Sequence, residues 1–151
     1  MYLYRIASRR YAADNSEGAR LYGGRWNRPG TPVIYASGTK SLAALEVIVH
    51  NGAIPTDYQV VVIELPDALA IKEISSDDLP PDWPGEDAYS ITADRGNEWA
   101  ASLKTAVLRV PSAVIPAEHN YVLNPAHPDF TRIQFAVPEG EQIDQRLLAH
   151  A

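Results

Sequence analysis

Apolar positions in this chain follow two rhythms, separated by clusters of Gly, Pro, Asn and Asp. The aromatic and β-branched residues of YLYRIAS (2–8) predict an opening strand. TPVIYAS (31–37) predicts a second, bounded by Pro29-Gly30 and Ser37-Gly38. YQVVVIELP (58–66) predicts a third, and its near-continuous apolar run calls for burial on both faces. AVLRVPSAVIP (106–116) predicts a fourth, where Pro111 demands an edge, a bulge or a bend. RIQFAVPEG (132–140) predicts a last short strand, followed by a tail that is a short helix or frayed. Helical spacing appears twice. TKSLAALEVIVHNG (39–52) has Thr39 or Ser41 to cap its start and Asn51-Gly52 to end it. ADRGNEWAASLKTA (93–106) predicts a second helix starting between Asp94 and Asn97. SSDDLPPDWPG (75–85) is a long loop, either a crossing or a lid, and HNYVLNPAHPDF (119–130) is a turn-rich connector. Short strands and few helices predict one α+β domain over residues 1–151, with a bent or doubled sheet.

Charge changes this picture in one respect. The net charge is -6, which disfavours direct nucleic-acid binding. Yet residues 1–40 carry +5, through Arg5, Arg9, Arg10, Arg20, Arg25, Arg28 and Lys40 against Asp14 and Glu17, and the remainder carries -11. Ten of the thirteen basic residues are Arg, whose rigid fork suits phosphate and carboxylate. A small anionic ligand fits this better than a long polyanion. Cysteine is absent, so thiolate chemistry and disulfides are excluded, and a cytoplasmic location is expected. No apolar run reaches the length of a membrane span, and the N-terminus lacks the apolar core of a secretory signal.

Candidate chemistry begins at GGRWN (23–27), where two glycines free the backbone beside a guanidinium and an indole. This is either a surface turn with a packed Trp or an anion clamp. Glu46 falls on the stripe Leu42, Leu45, Glu46, Val49, the i, i+3, i+4, i+7 pattern of a buried helix face. A carboxylate there must be paired, hydrogen-bonded or protonated. It is either a structural ion pair with Arg25 or Arg5, or a group presented at a pocket edge. Tyr35 shares a strand face with Val33 and Ser37, opposite Ile34 and Ala36, where packing is its default role. Ser112 offers a small hydroxyl in an apolar strand, without the Gly-x-Ser-x-Gly elbow of a hydrolase. His50, His119, His127 and His150 lack metal-ligand spacing, so no metal is expected. Neither a phosphate-binding loop nor a Gly-x-Gly-x-x-Gly fingerprint is present, which disfavours a Rossmann site.

In order, YRIAS, GGRWNRPGTPVIYAS, SLAALEVIVH and GNEWAASLKTAVLRVPSAVIPAEHNYVLNPAHPDF resemble the RES domain, the toxin half of RES–Xre toxin–antitoxin systems. The family's arginine, glutamate and serine match Arg25, Glu46 and Ser112. The resemblance runs from Tyr4 to about Phe135 and is weaker over 73–87 and beyond Val137. It implies an ADP-ribosyltransferase-like fold of two small packed sheets that consumes NAD+ at the nicotinamide–ribose bond. NAD+ is then the substrate rather than a cofactor, and inorganic phosphate is a possible co-substrate. Arg25 would grip the pyrophosphate or a ribose, Gly24 would let the backbone come close, and Trp26 would pack behind. Arg5 would reach the same pocket, Tyr35 would lie against the nicotinamide or its ribose, and Glu46 would stabilise the oxocarbenium-like cation. Ser112 would orient the substrate. The implied partner is an Xre-type helix-turn-helix antitoxin that blocks the active site; a homodimer is also allowed. Two other readings stay open: transfer of ADP-ribose to a protein, and a non-catalytic nucleotide-binding module. A ribonuclease is disfavoured by the acidic charge and the lack of a His-Lys set.

Overall fold

The computed structural model describes residues 1–150. Its elements are β1 (Tyr2–Ser8), α1 (Glu17–Tyr22), β2 (Ile34–Ser37), α2 (Lys40–Asn51), β3 (Tyr58–Glu64), β4 (Ile71–Glu73), α3 (Tyr89–Ser102), β5 (Val107–Pro111), β6 (His119–Leu123) and β7 (Gln134–Ala136). The strands form one sheet in the order β4-β5-β6-β2-β1-β3-β7. Every pairing is antiparallel except β4 with β5. The α+β class expected from the sequence holds, but the two expected sheets are joined into one. The join is narrow: β1 and β2 share the single pair Tyr4–Ser37, whereas β1 pairs with β3 along all seven of its residues. Strand twist accumulates across a sheet and makes such a seam splay. A four-stranded half and a three-stranded half therefore meet at one residue pair.

Period-two alternation sorts the core residues to the two faces. Val61 and Ile63 of β3 pack with Leu3, Ile34, Ala36 and Leu123, and the connectors close that layer with Leu69 and Ile133. Val60 turns the other way and meets Ile6, Ala43 and Ile54 beneath α2. This bears out two-sided burial of β3. On the four-stranded half, Leu108, Val110 and Val122 pack with Trp26, Trp83 and Trp99 beneath α3. Cross-strand partners share a face, so α2 and α3 cover the same side.

Thr39 caps α2 by accepting from the Leu42 N–H at 3.1 Å, and Gly52 ends it in the left-handed region at φ 85°. The stripe expected to be buried is only half so. Leu42 is fully buried, but Leu45 and Val49 are 38% and 67% exposed. The helix rests instead on Ala43, Val47 and Ile48, because the small Ala43 lets its axis approach the sheet on that side. Glu46 lies on the flank of this contact.

Three elements were not foreseen: α1, β4 and β6. β6 lies in the stretch taken for a connector, and it is a strand because β2 and β5 pair with it on both sides. α3 starts at Tyr89, before the expected Asp94, growing out of a 3-10 turn at Glu86–Ala88 without a side-chain cap. Pro111 is the last residue of β5, past Arg109, where β4 stops. The 75–85 crossing is anchored, since Leu79 and Trp83 are buried and Trp83 lies tilted against Trp26 with ring centroids 6.4 Å apart. The tail is tied by Ile54 N–H to the Leu147 carbonyl at 3.0 Å and Ala149 N–H to the Ile54 carbonyl at 2.7 Å.

Candidate active site

Pairing of β5, β6 and β2 sets Val110 opposite Asn120 and Asn120 opposite Ser37. Ser112, two residues past Val110, continues the row on the same face, held by its N–H to the Glu118 carbonyl at 3.0 Å. Glu46 comes down on this row from α2. Its Oε1 accepts from the Ser112 hydroxyl at 2.8 Å and from Asn120 Nδ2 at 2.6 Å. Among the described residues, no cation comes within salt-bridge reach of Glu46, so the ion pair with Arg25 or Arg5 is not formed. Neutral donors hold the carboxylate, and no hydrogen bond among the described residues uses Oε2. Ser112 is fully buried. Besides donating to Glu46, its oxygen accepts from the N–H groups of Val114 and Ile115, both at 3.0 Å. Its hydrogen-bonding capacity is used within the protein. Here it orients Glu46.

The GGRWN turn is built over the same half and the same face of the sheet. Gly23 has φ 72°, a region that favours glycine. A Cβ on Gly24 would sit 2.8 Å from the Tyr35 hydroxyl, so the turn presses on the Tyr35 ring. Tyr35 donates its hydroxyl to Asn27 Oδ1 at 2.6 Å and accepts from the Trp26 N–H at 3.0 Å. Burial pushes this phenol well above the ordinary tyrosine value, with the Trp26 N–H acting against it. The hydroxyl is therefore committed, and only the ring is left to meet a ligand. Tyr35 packs beside Val33, away from Ile34 and Ala36, as the alternation predicts. Asn27 is buried and ties the turn to the carbonyls of Ala19 and Thr31 at 2.8 and 3.0 Å.

Trp26 is 2% exposed; it supports the turn from behind. Arg25 is exposed to more partners than a free clamp would have. Its Nη1 donates to the Trp83 carbonyl at 2.9 Å and its Nη2 to the Pro84 carbonyl at 3.0 Å. The guanidinium lies 4.5 Å from the centroid of Tyr89 and 5.7 Å from that of Trp83. Arg5 stands apart from both groups. On β1 it alternates with Tyr4 and Ile6, which pack beneath α2, so it lies on the Leu3 face. Its Nη1 is buried with no hydrogen-bond partner. Burial pulls its proton affinity below the ordinary arginine value, and Asp14 partly offsets this.

The RES domain model matches residues 2–144. This chain belongs to the RES domain family. It is 39% identical over 98% of its length to the Prs ADP-ribosylating toxin of Sphingobium sp. strain YBL2, of which 97% is covered. It is 38% identical over 97% of its length to Toxin Res of Yersinia enterocolitica, covering 99% of that protein. The RES fold is shared with the crystal structure of the M. tuberculosis MbcT–MbcA toxin–antitoxin complex, at a TM-score of 0.72 and 24% identity over 91% of this chain and 83% of that one.

In this RES domain the residues missed from sequence are Asn120, Ser37, Asn27, Trp83 and Tyr89. Alternation of Asn120 with Val122 is the one signal that could have found Asn120, had 119–123 been taken for a strand. Among the described residues no group of three acidic or histidine side chains could hold a metal, and no helix is long and apolar enough to cross a membrane. Two open recesses, one along Tyr58, Gln142 and Arg146 and one along Arg9, Gln59 and Val137, hold none of the expected site residues.

Proposed function

We propose that this protein is the toxin of a toxin–antitoxin pair and that it consumes NAD+ by cleaving the nicotinamide–ribose bond. The observation that carries the reading is Glu46, a carboxylate fixed through one oxygen by Ser112 and Asn120 with the other oxygen unused. As the C–N bond breaks, nicotinamide leaves with the electron pair and positive charge develops on the ribose. A carboxylate already in place stabilises that charge without reorganising. Phosphate or water then bonds to the same ribose carbon. Arg25 faces the pyrophosphate by exchanging its carbonyl partners for phosphate oxygens, whereas Arg5, on the Leu3 face, lies away from this pocket. The Tyr35 ring lies along the nicotinamide ribose. NAD+ is the substrate, and no further cofactor is required.

A second acceptor is favoured by one observation. The relative that is 39% identical over almost the whole chain is named a Prs ADP-ribosylating toxin, so a protein side chain can be the group that attacks the ribose. The partner we propose is a cognate Xre-type antitoxin that presents a carboxylate to Arg25 and competes with NAD+. The related fold was solved with its antitoxin bound.

The deciding experiment incubates the purified chain with NAD+ alone, with inorganic phosphate, and with purified Prs, and identifies products by mass spectrometry. Released nicotinamide is expected, with the partner of the ADP-ribose naming the acceptor. NAD+ left intact in all three arms would overturn the enzyme reading and leave a nucleotide-binding module.

A further inference from the structure

Asn120 occupies a place whose hydrogen bonds admit only one orientation of its amide. A carboxylate accepts hydrogen bonds and cannot donate them. The group 2.6 Å from Glu46 Oε1 must therefore be the Asn120 NH2, which leaves Oδ1 to accept from the Ser37 hydroxyl at 2.7 Å. Ser37 and Asn120 are cross-strand partners on β2 and β6, so the sheet register itself delivers the pair. Ser37 is buried; its hydroxyl has this one acceptor in reach and locks the amide. Ser112, just past the end of β5, donates to the same Glu46 oxygen at 2.8 Å.

We infer that Asn120 is a positioning residue for Glu46: with Ser37 behind it, it pins Oε1 and turns Oε2 toward the substrate. This rests on the NAD+-cleaving reading above, because the free oxygen is useful only if a cation or a ribose hydroxyl meets it. The other titratable and charged groups on the surrounding elements are Lys40 and His50 on α2, Tyr2, Tyr4 and Arg5 on β1, Tyr35 on β2, Arg109 on β5, His119 and Tyr121 on β6, and Glu118 just before β6. None of them bonds Glu46.

The test compares wild type with Asn120→Asp, Asn120→Ala and Ser37→Ala. In Asn120→Asp two carboxyls meet across one hydrogen bond. With one proton shared they keep the wild-type geometry; with both ionised they repel. Activity of this variant should therefore fall as pH rises, roughly across pH 5 to 8, where wild type shows no such loss from this pair. Asn120→Ala should lower kcat about tenfold or more with KM changed less than about twofold, since a transition-state contact is loosened. Ser37→Ala should lower kcat by a smaller factor of about 2–5, because the amide is left in place but unlocked.

A readout independent of substrate accompanies these: the Glu46 carboxyl followed by 13C NMR against pH. In Asn120→Asp it should titrate in two steps, the later one at higher pH than in wild type. If wild type fails to cleave NAD+, the proposed function falls while the NMR result still decides this inference. An Asn120→Asp pH profile and a Glu46 titration identical to wild type would overturn it, as would an Asn120→Ala loss that lies in KM alone.

Discussion

Glu46 and Arg25 are opposite charges on one face of the sheet, held by opposite means. Glu46 is fixed by polar bonds from the end of β5 and from β6, at 66 and 74 residues from it. One oxygen is saturated and one is spare. Arg25 is fixed by two successive carbonyls of the 75–85 crossing and by the faces of two aromatic rings. Its environment is packed rather than polar, and the turn that carries it rests on glycines and a buried indole. The difference teaches where each region is vulnerable. The carboxylate centre can lose its function with its fold intact, whereas the arginine turn loses its fold first.

The largest expected effect follows at the carboxylate. Glu46→Gln preserves shape and removes charge, so NAD+ cleavage should fall on the order of 100-fold or more, with the thermal midpoint within about 2 °C of wild type. Normal turnover by this variant would break the comparison at its catalytic end. The next effect belongs to the other region. Gly96 of α3 lies so close to the turn that a Cβ would stand 1.7 Å from the Trp26 carbonyl oxygen. Gly96→Ala must displace backbone and should cost about 2–3 kcal/mol, read as a fall of about 4–12 °C in Tm. A Tm unchanged from wild type would show that the turn yields more easily than its packing implies.

Arg25→Lys comes third. Lysine keeps the charge, but it cannot bridge two carbonyls or stack flat on Tyr89. The apparent affinity for NAD+ should weaken about tenfold, nearly as much as in Arg25→Ala. Full activity with Lys would mean that a point charge suffices there. The smallest effect is at the rim. Arg28 donates to Asp94 in an exposed pair at the edge of the turn, and Arg28 holds the Asp94 carboxyl below its usual range. A carboxyl lowered in the folded state adds stability that is present above its unfolded value, about 3.9, and is lost as pH falls through the folded one. Asp94→Asn should therefore leave Tm at neutral pH almost unchanged, since exposed pairs contribute little, and flatten its acid dependence slightly. A large fall at pH 7 would show the pair to be part of the turn's support.

Local chemistry alone was enough for a good part of this molecule. The strands β1, β2, β3, β5 and β7 and the helix α2 announce themselves through β-branched runs, a threonine cap and a left-handed glycine, because these depend on neighbours in sequence. The order of GGRWN, LAALEV and VPSAV marked Arg25, Glu46 and Ser112 through resemblance to the RES family rather than through local conformation. What tertiary structure decided is how those residues are held. Glu46 was expected on a buried stripe, either paired with Arg25 or Arg5 or presented at a pocket edge; the helix instead rests on Ala43, Val47 and Ile48, a choice that depends on the sheet beneath it. β6 has turn-like composition and becomes a strand through pairing on both edges, and with it Asn120 enters the site. Ser112 bonds Glu46, Val114 and Ile115 because the chain turns just past the end of β5. Hydrogen-bond partners 66 to 83 residues apart leave no periodic trace in a chain, since no local conformation depends on them, and they exist only once the register of β2, β5 and β6 is set.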